Sequence, residues 1–138
     1  MTSYIDSSVL LRIILRAPQR LREWSRIEHF LASTLVRVEC FRALHRLRFT
    51  QSLTEEEFVY RIENTERALL GFELISVADN VLVRAAGPFT SPLKTLDAIH
   101  LATASLWRDR EDPAIFFATH DQQLALAARA MGFATIGV

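Results

Sequence analysis

Cysteine is all but missing from this chain. Its single example, Cys40, excludes an intrachain disulfide and a cysteine-built zinc site. Its place in an apolar helical stretch reads as a small core residue. Lysine is as scarce, with Lys94 alone. The cationic side is therefore almost wholly arginine, which suits bidentate contact with phosphate or carboxylate; a GC-rich coding bias accounts for the same pattern. An excess of one charge is also lacking. The 16 basic and 16 acidic residues balance to a formal +0, so no bulk positive field announces a nucleic-acid binder, and any such surface must be local. Nor is there a long hydrophobic run. "SVLLRIIL" is too short to span a bilayer and carries Arg12. No basic-then-apolar leader precedes it. These absences predict a soluble, cytoplasmic protein with no membrane partner. Repeats, linkers and low-complexity stretches are missing too.

What is present fits one domain over residues 1–138. A chain of this length buries roughly 68% of its unfolded surface, and 50% of its residues are hydrophobic. "TSYI" reads as a strand ending at Asp6, followed by a helix, "SSVLLRIILR", that stops before Pro18. "PQRLREWSRI" begins a second helix with Pro18 in its first turn. "HFLAS" is a strand. "TLVRVECFRALHRLRF" shows Leu35, Val38, Phe41 or Arg42, and Leu47 at helical spacing. In "TEEEFVYRIENTERALLG", Thr54 and Glu57 form a capping box and Gly71 stands at the end. Glu55, Glu56 and Glu57 are first-turn acids favoured by the helix dipole. "FELISV", "AIFFAT" and "ATIGV" are strands. "DNVLVRAAG", "TLDAIHLATASLWR" and "DQQLALAARAMG" are helices, the last capped by Asp121 and closed by Gly132. Strands alternating with helices argue for an α/β fold, a mainly parallel sheet covered on both faces.

One helix carries an anomaly. In "TLDAIHLATA", Thr95 sits where an N-cap belongs, and Leu96, Ile99, Ala102 and Leu106 mark a buried face. Asp97 and His100 lie inside this apolar pattern. A buried carboxylate needs a partner or a cation. Other acids fall in the same layer. Asp6 directly follows a strand, Asp121 comes two residues after another, and Glu39 lies early in the helix after "HFLAS". Ligands of open α/β sheets sit at the carboxyl ends of strands, so Asp6, Glu39, Asp97 and Asp121 can converge there.

Each acid also has a plainer role. Asp6 and Asp121 can be N-caps, Glu39 can pair with Arg42 or Arg46 along its helix, and Asp97 can serve the dipole. Together, however, four converged acids cannot stay ionised and empty. Two unit charges about 4 Å apart repel by roughly 4 kcal/mol at an effective dielectric near 20. Oxygen-only ligands select hard ions, Mg2+ or Mn2+ rather than zinc. Such a pocket suits metal-assisted displacement at phosphorus.

The blocks "YIDSSVLLRIIL", "STLVRVECFRAL", "LDAIHLATA" and "ATHDQQLALAARAMGF", in this order over nearly the whole chain, resemble PIN-domain ribonucleases. The likeness is to the VapC-type toxins of bacterial toxin–antitoxin pairs. The resemblance implies a three-layer α/β/α sandwich and an endoribonuclease that hydrolyses RNA phosphodiester bonds with magnesium or manganese. It also implies a homodimer and a cognate VapB-like antitoxin that blocks the toxin. Asp6, Glu39, Asp97 and Asp121 would form the catalytic and metal site. Asp6 and Asp97 would be direct ligands, Glu39 a ligand or the holder of a water, and Asp121 the position at which family members vary. Ser7 and Thr119 are hydroxyl neighbours in the pattern, and Arg42 occupies a frequent arginine position. His100, one turn after Asp97, is either a packed, hydrogen-bonded residue or a group facing the pocket. His120 is expected to be exposed or in contact with substrate. Arg42 and Arg46 could contact RNA phosphates.

Three rivals stand beside this reading. A catalytically weak PIN-like module would mainly bind a partner protein. A receiver-like phosphoacceptor needs an early acid pair and a lysine at a late strand end, whereas Asp6 stands alone and Lys94 precedes a helix. A flap-type nuclease for structured DNA needs more helices than this length allows. Phe41, Leu47, Phe49, Phe58 and Tyr60 are either ordinary core or a surface for the antitoxin or a second subunit. The RNA target and the number of ions are encoded in no motif.

Overall fold

Side chains of a strand point alternately to opposite faces, and here each face meets its own core. The computed structural model describes residues 1–138. In register, Tyr4 of β1 (Thr2–Ile5) sits beside Leu31 of β2 (His29–Ser33) and Phe117 of β4 (Phe116–Ala118). These three project into one cluster with Leu101, Ala104, Leu124 and Ala128. The next residues along, Ile5, Ala32 and Ala118, project into the other, with Val9, Leu10, Val36, Cys40 and Leu69. The five strands are all parallel, in the order β3-β2-β1-β4-β5, where β3 is Phe72–Ile75 and β5 is Ala134–Ile136.

Helices α1 (Ser7–Ile14), α2 (Leu35–Phe49) and α3 (Glu55–Leu69) cover the Ile5 face, and α5 (Thr95–Arg110) and α6 (Gln122–Ala130) cover the Tyr4 face. Helix α4 (Asp79–Ala85) packs outside α5 through Val81 against Ile99 and Ala102. This is the expected three-layer α/β/α arrangement. No helix is long and apolar enough to cross a membrane.

Four local expectations are corrected. The helix read from "PQRLREWSRI" is only a 3₁₀ turn over Arg22–Arg26. Its buried apolar residues, Leu21 and Ile27, flank that turn and pin it into the core; nothing between them is fully buried. On α2 the core stripe is Val36, Cys40 and Leu44, whereas Val38 is exposed. Thr95 does not cap α5. It is the first helical residue, and extended Lys94 takes the cap position. All eight residues from Ala98 to Ser105 are buried, because α5 is covered by the sheet on one side and α4 on the other. Leu96, expected inside, is exposed.

The Thr54 cap is real but half-built: its hydroxyl accepts the Glu57 N–H at 3.1 Å. Of the large apolar residues on α2 and α3, Phe58 is core, whereas Phe49 and Tyr60 are exposed.

Two outcomes follow from this packing. Leu10→Ala, at a fully buried position, is expected to lower the unfolding free energy by about 2–5 kcal/mol, measured by urea denaturation. The Cys40 thiol is pushed up to about 12 by burial, then by the charges of Glu39 and Asp6. A disulfide reagent at pH 8 should therefore leave the folded protein unlabelled and react fully once it is unfolded; rapid native labelling would contradict the assigned burial.

Candidate active site

The chain passes from β1 to β2 and β3 on one side, then crosses to β4 and β5 on the other. The order reverses between β1 and β4, and ligands of open α/β sheets bind in the crevice at such a reversal. Asp6 lies there. Its backbone N–H donates to Ala118 O at 3.0 Å, extending the β1–β4 ladder by one bond.

Asp6 occupies the N-cap position of α1 yet makes no side-chain cap bond. Its carboxylate, buried to 4% exposure, takes protons from side-chain hydroxyls instead. Ser8 Oγ lies 2.6 Å and Thr119 Oγ1 2.9 Å from Oδ2. Each hydroxyl also accepts a backbone N–H, from His120 on Ser8 and from Asp121 on Thr119, both at 3.0 Å. With those N–H groups supplying protons to the hydroxyl oxygens, the hydroxyl protons are directed at Asp6. Oδ1 has only the longer 3.4 Å contact from Ser7 Oγ.

Glu39 approaches from α2. Ser7 Oγ lies 3.1 Å from its Oε2, and His100 Nε2 lies 2.5 Å from its Oε1 and 3.8 Å from Asp6 Oδ1. His100 is fully buried on α5, with Nδ1 2.8 Å from the Tyr4 hydroxyl. That hydroxyl accepts the Ser33 N–H at 3.1 Å. With its oxygen accepting the hydrogen bond from Ser33 N–H, the Tyr4 hydroxyl donates to Nδ1, and Nε2–H is left to face Glu39. The hydrogens are assigned from this network. Burial opposes the His100 imidazolium. The Glu39 hydrogen bond and the charges of Asp6, Glu39 and Asp97 favour it and prevail, so its pKa is raised.

Asp97 stands in the first turn of α5, half-buried. Its pKa is raised, first by burial and then by the charges of Asp6 and Asp121. Asp97 thus feels two further acids of the site, Asp6 and Asp121. Asp121, exposed, also caps α6: its Oδ1 accepts the Leu124 N–H at 2.9 Å. The plain N-cap role therefore holds for Asp121 and fails for Asp6. Glu39 pairs with His100 and not with Arg42 or Arg46. Those arginines are exposed and line a cavity of about 350 Å³ beside Glu39, with Leu11, Val38 and Leu96. His120 is half-buried, not exposed. Its Nδ1 lies 2.7 Å from Gly137 O, and its Nε2 is buried without a partner.

As they stand, no three His, Cys, Asp or Glu side chains close into a metal cage. The donor chemistry still fits a hard cation, since the candidates are all carboxylates, repel one another, and rest on a hydroxyl scaffold. Magnesium in particular keeps several waters and commonly takes one or two carboxylates plus substrate phosphate rather than an all-protein cage.

Sequence reasoning missed Ser8 and Tyr4. Ser8 had a signal, a hydroxyl two residues after an aspartate at a helix start. Tyr4 had none, because strand alternation makes it a core residue and its partner lies 96 positions away.

The PIN domain family model matches residues 3–130. Among characterised proteins, ribonuclease VapC46 of Mycobacterium tuberculosis is 35% identical over 137 residues, spanning 96% of this chain and 95% of its own. Ribonuclease VapC47 of the same species is 33% identical over 139 residues, spanning 96% and 93%. A toxin–antitoxin complex from Klebsiella pneumoniae contains a chain that superposes with a TM-score of 0.63 at 18% identity, covering 90% of this chain and 91% of that one. The acids at the β1–β4 reversal thus lie within the matched segment, and the chain belongs to the PIN-domain family.

Proposed function

We propose that the protein is a metal-dependent endoribonuclease of the VapC type, the toxin of a toxin–antitoxin pair. The observation that carries this reading is the Asp6 carboxylate. It is buried at the sheet's reversal, spared from helix capping, and near enough to Asp97 that its charge adds to burial in raising the Asp97 pKa. Relatives named as VapC ribonucleases over almost the full length of the chain support the substrate class. A fold shared with a chain of a toxin–antitoxin complex is consistent with a VapB-like antitoxin partner. Soluble, cytoplasmic action, as a homodimer, goes with that role.

In this reading Asp6 and Asp97 hold Mg2+ or Mn2+, with Glu39 beside them and the free oxygen of Asp121 at the rim. The ion supplies neutralisation of phosphate charge and activation of the attacking water. The chain's own residues do the rest. Ser8 and Thr119 fix the plane of the Asp6 carboxylate. Ser7 and His100 hold the two oxygens of Glu39. Arg42 and Arg46 offer guanidiniums to the RNA backbone along the neighbouring cavity.

Cleavage of cellular RNA should require magnesium or manganese, stop with chelator, and be abolished in Asp97→Asn and Asp6→Asn. Discrete fragments from purified, folded Asp97→Asn would refute the assignment and leave the partner-binding module as the better reading.

Stability of the metal-free protein gives a separate check. A carboxyl whose folded pKa lies above its unfolded one is penalised in the fold once it ionises. That penalty is full above the folded pKa and vanishes below the unfolded value. Asp97→Asn should therefore raise the Tm of chelated protein at pH 7 and lose that advantage near pH 3. An unchanged or lowered Tm at pH 7 would mean that Asp97 is not in a repulsive cluster.

His100 acts as a positioning residue in this scheme. His100→Leu should lower activity and manganese affinity about 10–100-fold. His100→Gln, which keeps a donor toward Glu39, should recover much of both. Equal defects in the two variants would reduce His100 to packing.

A further inference from the structure

A second cavity, separate from the one that Arg42 and Arg46 line, reaches the site through His120. It encloses about 550 Å³, and Arg12, Arg20 and Arg22 line it. None of the three pairs with a carboxylate, although other arginines of the chain do; Glu23 is the one acidic side chain in the lining.

The pocket is tied to the site by its floor. His120 forms part of that floor, and its backbone N–H donates to Ser8 Oγ, which donates to Asp6. The guanidiniums therefore surround a surface two hydrogen bonds from the buried carboxylate. The floor is also rigidly built. Gly137 has φ +98, and a Cβ there would meet Thr119 O at 2.5 Å. Only glycine allows this approach, and it brings Gly137 O to the His120 ring. On the wall, Arg12 from the last turn of α1 donates to Gln19 O at 3.1 Å, tethering the loop that carries Arg20 and leads into the 3₁₀ turn begun by Arg22.

We propose that this pocket binds backbone phosphate of a single-stranded RNA on one side of the bond to be cut, so that the strand crosses the acids from the Arg42/Arg46 cavity to the Arg12/Arg20/Arg22 pocket. The inference rests on the ribonuclease reading and adds a path for the substrate. Planar guanidinium forks match phosphate oxygens, and contacts of this kind position a strand without reading its sequence. An acidic polypeptide would meet the same charge, but the His120–Ser8 link to Asp6 and a second pair of arginines, Arg42 and Arg46, in the cavity beside Glu39 favour a chain of phosphates.

The test uses the full chain in the Asp97→Asn background with magnesium present, so that the probe survives. A fluorescent random-sequence single-stranded oligoribonucleotide is titrated at several salt concentrations. Arg20 and Arg22 are exposed, so their replacement does not disturb the core. Arg20→Gln with Arg22→Gln should weaken binding and flatten the slope of log K against log salt by about 0.7 for each phosphate no longer neutralised. Arg20→Lys with Arg22→Lys should restore the slope. RNA binding with an unchanged slope in the glutamine variant would overturn this pocket and leave the nuclease assignment standing. Weakened binding of a polyglutamate peptide with unchanged RNA binding would overturn it in favour of an acidic protein partner. Failure of the parent protein to bind RNA at all, together with no cleavage by wild type, would overturn both readings.

Discussion

Asp6 is a carboxylate with almost no water, and the structure around it follows from that. An ionised group taken out of solvent must recover its hydration from the protein. Here the recovery comes from Ser8 and Thr119, each aimed by a backbone N–H from the segment after β4. The parallel β1–β4 pairing is what brings that segment to the start of α1. Fold and site are therefore one arrangement: the same register that stacks Tyr4 on Phe117 inside the core places Thr119 against Asp6 at its edge.

Tyr4 extends this coupling to the other strand neighbour. Its ring fills the α5/α6 face while its hydroxyl joins the Ser33 N–H at the end of β2 to His100 on α5. Glu39 then receives His100 on one oxygen and Ser7 on the other. A buried aromatic with a polar tip normally finds a partner for that tip, and here the partner is a ring whose far nitrogen reaches an acid of the site. Packing and acid geometry are thus transmitted through the same residue.

Period and punctuation made most of the fold legible. Short runs of strand length between the helices revealed the strands, and Asp121, Gly132, Thr54 and Gly71 marked helix ends. Position after a strand was enough to bring Asp6 and Asp121 under suspicion, because such acids share one edge of a parallel sheet; Glu39 followed from its place early in the helix after "HFLAS", and Asp97 from being a carboxylate inside an apolar helix. What stayed hidden depended on distant contacts. The "PQRLREWSRI" segment has helical spacing on paper, but its two core residues anchor a 3₁₀ turn from its flanks. The α2 stripe is ambiguous in sequence because Leu35 and Val38 compete with Val36 and Cys40, and only the neighbouring α1 and α3 decide between them. Whether an N-cap aspartate spends its oxygens on the helix, as Asp121 does, or withholds them, as Asp6 does, depends on which hydroxyls lie opposite. No local pattern contains that information.

The near absence of lysine now has a structural reading beside coding bias. Several arginines are ordinary surface partners, such as Arg48 with Glu55 and Arg84 with Asp109. Exposed pairs of that kind contribute little to stability, so they do not explain a preference for the guanidinium. Arg42 and Arg46 in the cavity beside Glu39, and Arg12, Arg20 and Arg22 in the pocket that His120 links to Asp6, have no carboxylate partner. An acidic centre repels a polyanion unless cations sit on its approaches, and a net charge of zero leaves no long-range field to compensate. In the proposed ribonuclease, local arginines beside the acids would resolve that conflict. They would attract phosphate within a Debye length of about 8 Å while leaving the centre negative enough for a metal.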